Sequence, residues 1–412
     1  TMEIRPILSA LMRSKTGAIL VAVQVALSLA ILANALHIVN VRQEVAARPS
    51  GVAAEGDVFH LLARNLRPLG HNEELALQKR LAAAVRAVPG VVSVAQVSQV
   101  PLSRNGSNSG FAASRKQENS SAIAAVYITP DSLIKTWGLQ LLEGRDFTPA
   151  EITEIDQNVT EVFPPQVIVT RAMAEKFNPG GGSALGMPLF LGTGEGAQQL
   201  QVVGVVERLQ TQGAELGEHG EYSVIFPVRL TGDGDTLLTI RAEPGQRDRL
   251  MKEAEQAIRA ATPDKLIVRI RSLNEDRETR YRADRALSWM LITVSALLLL
   301  VTASGIVGIA SLWVTQRRKQ IGVRRALGAR RSDILRYFLT ENFMITSVGV
   351  AAGVVLALAL NHLLVSQLEM TRLPLPYLLG GALVFWLLGL AAVYGPAWRA
   401  ASISPATATR ST

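Results

Sequence analysis

The sequence predicts a helical membrane protein: four transmembrane helices, with a large α+β extracytoplasmic domain of two lobes inserted between helices one and two. Three observations carry this. Hydrophobic residues make up 48% of the 412 and charged residues only 18%, against roughly 25% charged in an ordinary soluble domain. The apolar residues are bunched into four runs, each reaching the roughly 20 residues needed to cross a hydrocarbon core. Lysine and arginine crowd the flanks of those runs on one side only.

The runs fall at 16–40, 286–315, 337–365 and 375–398. Ahead of the first, within 1–15, Glu3 to Arg13 suits an amphipathic helix lying on the cytoplasmic surface. Ala33-Asn34-Ala35 fits a signal-cleavage pattern. The apolar run around it is longer than the roughly 7–15 residues of a signal core, so a retained span is expected. The third run begins beside Glu341 and Asn342, which are expected at the interface, where a polar side chain costs little.

Orientation follows from short-loop basic residues. Arg5, Arg13 and Lys15 precede run one, the segment 316–336 joins runs two and three, and Arg399 and Arg410 follow run four in the tail 399–412. The short loop 366–374 carries only Arg372. Both termini and 316–336 are therefore expected in the cytoplasm, with 41–285 and 366–374 outside an inner membrane. The formal net charge of +8 is no nucleic-acid signal: residues 41–285 sum to −2 and the rest of the chain to +10. The excess belongs to the flanks of the spans.

Within 41–285 the pattern is mixed. Asn72 to Val88 has helical period, with Leu75, Leu81, Val85 and Val88 on one face. Pro89-Gly90 stops it, and residues 91–100 alternate like a strand. Residues 104–121 are polar and turn-rich, a loop or hairpin tip. AAVYITPDSLIKTWGLQLLEGRDFT reads as a strand and a short helix, VIVTRAMAEKF as a strand running into a helix, QLQVVGVVERL and YSVIFPV as strands, LLTIRAEPG as a strand ending in a turn, Arg247 to Ala261 as a charged amphipathic helix and KLIVRIRSL as a last strand. Residues 277–285 are highly charged and run into the second span without Pro or Gly, which predicts one continuous helix.

Chemistry-bearing motifs are few. No lysine follows a glycine, so the core of a phosphate-binding P-loop is missing. The five histidines show no ligand spacing, there is no cysteine, and no nucleophile elbow occurs. Gly192 to Gly196 is glycine-rich but has hairpin-turn character. No catalytic, metal or cofactor site is expected in this chain, which is read as a non-enzyme. Gly349 and Gly353 form a GxxxG pair in the third span, and Ser304 with Gly308 a small-xxx-small pair in the second. Both permit close helix packing, within the chain or between two copies.

The densest feature is RRKQIGVRRALGARRSDILR at 317–336, with eight basic residues, one acid and an apolar thread of Ile321, Val323, Leu327 and Ile334. Attraction to anionic lipid explains the charge but neither the thread nor the spacing of Gly322 and Gly328. Gly328 is expected to end one short helix, and Ser332 with Asp333 to cap the next.

Residues 315–342 resemble the basic I-G-x-R-R-A-L-G-A segment of the FtsX-like/MacB-type permease family of ABC transporters. AVPGVVSV, VYITPDSLIKTWGLQLLEGRDFT, VIVTRAMAEKF and QVVGVVERL look like its periplasmic core, and YGPAWRAASISPATATR like its closing segment. The resemblance implies a permease subunit working as a dimer with a second copy or paralogue. It also implies a separate ATPase that binds ATP and Mg, room for a periplasmic adaptor, and motion passed to the outer domain. It assigns the ATPase contact to Ile321, Gly322, Arg324, Arg325, Ala326, Leu327, Gly328 and Ala329. Gln316 and Gln320 depart from the glutamates common in the family. A signal relay controlling a periplasmic hydrolase or a sensor kinase is the alternative use of the same architecture, and a lipid-bound anchor the plainest one.

Overall fold

The computed structural model describes residues 15–402 apart from 161, 216, 369 and 370. The helix expected over 1–15 and most of the tail 399–412 lie outside the described residues. The chain divides into two compact units, one of residues up to 43 with 284 onward, the other Glu44–Ala283.

The first unit is helical. Its long elements are α1 (Lys15–Ala47), α6 (Leu273–Gln316), α8 (Arg331–Leu368) and α9 (Leu375–Ala401). These are the four described helices long and apolar enough to cross a membrane. Each outruns its apolar stretch, because a hydropathy window stops where charge begins and a helix does not. α6 is continuous from the charged segment into the apolar one, as expected from 277–285. Glycine decides how closely the bundle packs. A Cβ on Gly349 would lie 2.8 Å from the Ala22 carbonyl oxygen, and one on Gly353 would lie 3.0 Å from that of Ala26. The GxxxG face of α8 therefore lies against α1 of the same chain. Ser304 donates to the Leu300 carbonyl of its own helix at 2.9 Å, and a Cβ on Gly308 would meet nothing within 4 Å. Glu341 and Asn342, expected at the interface, are instead buried inside the bundle.

The second unit holds two sheets. The smaller has strand order β12-β1-β11-β2, with β1 Val58–Asn65, β2 Val91–Gln96, β11 Asp235–Ala242 and β12 Leu266–Ser272. Its helix-covered face carries Phe59, Leu61 and Ala63, packed beneath α2 (His71–Arg86) and α5 (Arg247–Ala261) with Leu81, Val85, Leu250 and Ile258. Period-two alternation puts His60, Leu62 and Arg64 on the other face.

The larger sheet runs β4-β3-β8-β9-β7-β10, and β4 (Ala122–Thr129) also pairs in parallel with β10 (Ser223–Thr231). Six strands thus close into a ring, which removes the free edges of an open sheet. The others are β3 (Asn108–Ala112), β7 (Gln166–Thr170), β8 (Pro188–Leu191) and β9 (Gln198–Val206), with β5 (Leu141–Gly144) and β6 (Thr153–Asp156) alongside. β3 lies in the segment expected to be a loop or hairpin tip. Short helices α3 (Leu133–Trp137) and α4 (Arg171–Phe177) complete the unit. Trp137 is fully buried, donates Nε1–H to Thr239 Oγ1 at 2.7 Å and meets Tyr127 edge-on. Gly192 and Gly194, both at positive φ, make the hairpin turn between β8 and β9.

Candidate coupling site

Past α6 the chain turns at Arg317 and forms α7, Arg318–Ala326. Ile321 and Gly322 are the buried residues of this helix, and Ile321 joins a core that includes Ile334, Phe338, Ala397 and Ala401. Three arginines hold the segment from below. The Arg317 Nη1 group donates to both Glu341 oxygens, at 3.0 and 2.8 Å, while its guanidinium lies over the Trp313 ring. Arg325 Nη1 donates to the Ala401 carbonyl at 3.1 Å. The Arg324 guanidinium sits 5.3 Å from the Tyr337 ring centre.

The helix ends as expected at Gly328, whose φ of +96° suits a residue without a Cβ. Its N–H donates to the Arg325 carbonyl at 3.2 Å, and the Ala329 N–H to the Arg324 carbonyl at 3.0 Å. That pair of bonds is the Schellman arrangement, which satisfies two carbonyls a helix end would otherwise leave open. At the start of α8 the Asp333 carboxylate accepts the Arg330 N–H at 2.9 Å, and its negative charge suits the positive end of that helix. Ser332, expected to share the cap, is instead the second residue of the helix.

The sequence thread thus divides in two. Ile321 and Ile334 are core residues, whereas Val323 is 52% and Leu327 83% exposed. Ala326 and Gly328 are exposed with Leu327, and Ala329 is half-buried. Exposed Arg318, Lys319, Arg330 and Arg331 surround them. The product is an apolar tip in a cationic collar, held rigid by a buried ion pair. Sequence reasoning noted Glu341 only as an interfacial residue and missed its pairing with Arg317. A lone carboxylate at the edge of an apolar run signals something, but its partner is 24 residues away.

In the outer unit, Arg277 donates to both Glu55 oxygens, at 2.9 and 2.7 Å, and to the carbonyls of Ala46 and Arg48. Arg271 Nε lies 3.2 Å from Asp276 Oδ1, and His60 Nε2 3.3 Å from Asp276 Oδ2. Burial, aided by the Arg271 charge, pushes the His60 imidazole down to about 4, with Glu275 opposing. No group of three or more His, Asp or Glu able to hold a metal occurs among the described residues.

Four helices long and apolar enough to cross a membrane, with a sheet-rich unit inserted between the first and the second, fit a membrane protein of permease type. Comparison with known families agrees. Residues 292–405 match the FtsX-like permease C-terminal family, and residues 22–261 match the MacB-like periplasmic core domain. The chain belongs to the FtsX/MacB-type permease family, whose members are proteins of the bacterial inner membrane. It is 33% identical over 221 residues to the pyoverdine export ATP-binding/permease protein PvdT of Pseudomonas savastanoi pv. phaseolicola, covering 50% of this chain and 32% of that protein. It is 28% identical over 298 residues to the macrolide export ATP-binding/permease protein MacB of Nitrosomonas europaea, covering 68% and 41%. The matched part thus spans about a third to two fifths of these curated relatives. The extracellular domain of the ABC-type transporter YknZ from Gram-positive bacteria aligns at 17% identity and a TM-score of 0.32, covering 52% of this chain and 99% of that one, a likeness too remote to weigh.

Proposed function

We propose that this chain is the membrane subunit of an ABC-type export assembly and that α7 with its Schellman turn is the seat of an ATPase carried on another polypeptide. ATP and Mg would be bound there and not in this chain. The observation that carries the reading is the split on α7. Ile321 and the arginines fix the segment from within, while Leu327 and Val323 face outward with no described cover. An exposed apolar tip is costly in water and useful as an anchor in a partner's pocket. The export role of the relatives named above supports the same reading, with α7 and both termini on the cytoplasmic side. Motion reaching the outer domain through α1 and α6, a second copy or paralogue, and a periplasmic adaptor belong to this proposal.

The test is co-purification of the Val323→Asp, Leu327→Asp double variant with its ATPase. Both side chains are exposed, so the fold should survive. We expect retention of the ATPase to fall at least tenfold, with the melting temperature unchanged. Undiminished association and turnover would refute the assignment.

A further inference from the structure

The smaller sheet of the outer unit has helices over one face only. Its other face, which carries His60, Leu62 and Arg64 of β1, brings Arg269 and Arg271 of β12 beside them, Leu62 opposite Arg269 and His60 opposite Arg271. This face forms one wall of a cleft of about 450 Å³. The facing wall comes from the other sheet, through Ile128, Val228 and Leu230. A volume of that size is typical of small-molecule sites, which lie within about 300–1,000 Å³. Leu62, Leu237 and Leu230 give this lining apolar surface among its polar groups.

Its charges are arranged unevenly. Arg64 is clamped by both Asp235 oxygens, at 2.7 and 2.6 Å, and Arg271 is answered by Asp276. Two lining groups, Arg269 and Asp233, have no ion-pair partner among the described residues. Asp233 accepts the Asp235 N–H at 3.0 Å. Arg269 lies on β12 and Asp233 in the turn leading into β11, with β1 between those strands. Neighbouring strands are about 4.8 Å apart, so the two backbones stand at least about 10 Å from each other. An unpaired guanidinium offers a carboxylate a two-pronged contact, and an unpaired carboxylate offers an ammonium its counter-charge.

We propose that this cleft binds a dipolar ligand the size of a short peptide, with its carboxylate on Arg269, its ammonium on Asp233 and an apolar body between. The site does not depend on the coupling role of α7, and its test contains neither ATP nor an ATPase, so the two can fail separately.

The probe is the tripeptide leucyl-alanyl-leucine, titrated by calorimetry into the full chain in lipid nanodiscs. It is compared with its N-acetylated and C-amidated forms and with octanoate. The free tripeptide should bind, and either cap should weaken binding at least tenfold. In Arg269→Gln amidation should cost nothing further, and in Asp233→Asn acetylation should cost nothing further. Both side chains are exposed, and the remaining sensitivity to the other cap shows that each variant is still folded. Three results would overturn the proposal: no binding at 10 mM, cap effects indifferent to the two substitutions, or octanoate binding as tightly as the free tripeptide.

Discussion

The helix bundle buries the carboxylate of Glu341 and the outer domain that of Asp276, and the two are satisfied differently. Glu341 in the bundle is 1% exposed and receives a guanidinium on both oxygens. Asp276 in the outer domain is 2% exposed, with Arg271 at 3.2 Å on one oxygen. Its second oxygen lies 3.3 Å from a buried imidazole and forms no hydrogen bond. The first is a carboxylate with both oxygens taken up by one guanidinium. The second sets a carboxyl that burial pushes up to about 6 beside an imidazole that burial pushes down to about 4. Equal burial therefore gives a rigid joint in one unit and a titratable one in the other.

The most forceful way to break the comparison is Glu341→Leu, which leaves Arg317 buried without a counter-charge. Removing one partner of a buried pair typically costs about 3–5 kcal/mol. Thermal melting of the nanodisc-embedded protein should show this loss, and adding Arg317→Leu should recover most of it.

The outer-domain pair should respond to pH. His60 has a folded value of about 4 and an unfolded value near 6.5, so between them the unfolded chain binds more protons. The stability owed to neutral His60 is complete above about 6.5 and falls as the pH drops towards about 4, whereas Asp276, pushed up to about 6 by burial, takes up its proton earlier in the folded state and offsets part of that loss below about 6. Hydrogen exchange of the β1 amides should report the net slope in the wild type, and His60→Gln should leave only the opposite slope of Asp276. Equal slopes in the two proteins would remove His60 from the account.

Arg271→Gln sharpens the contrast. It removes a positive charge that resists protonation of His60, so the imidazole should titrate closer to 6.5 in an NMR titration. Asp276 would also lose its guanidinium, costing about 1–2 kcal/mol at neutral pH. The smallest effect should come from Gly328→Ala. A Cβ there meets nothing within 4 Å, so only the positive φ is penalised, by about 1 kcal/mol in a melting experiment.

What the sequence revealed follows the range of the forces involved. The four long helices were legible because length and hydropathy are local properties, and Arg247–Ala261 was legible because its period is clean. Gly328 was readable as a helix end because its neighbours offer no other residue suited to positive φ. β1 was not identified, since VFHLLARN interrupts its apolar residues with His60 and Arg64, which suit only a face turned to a polar cleft. β3 was hidden in a polar run whose pairing with β4 and β8 is set by tertiary contact. In 317–336 the apolar thread was visible, but its division was not. Hydropathy ranks Ile321 and Leu327 alike, and only the bundle behind α7 decides that one is core and the other is exposed.

Ring closure in the larger sheet has a consequence for the order in which the chain can fold. β4 is complete by Thr129, but its parallel partner begins at Ser223. β1 in the smaller sheet waits longer, since both its partners lie beyond Asp235. A chain emerging N-terminus first therefore holds two sheets with bare edges until almost the whole domain has appeared. Pairings so distant in sequence form slowly, and open edges invite association in the meantime. Chains cut short before β10 should thus be far more damaging to the cell than chains cut after β12, although both lack the last three membrane helices.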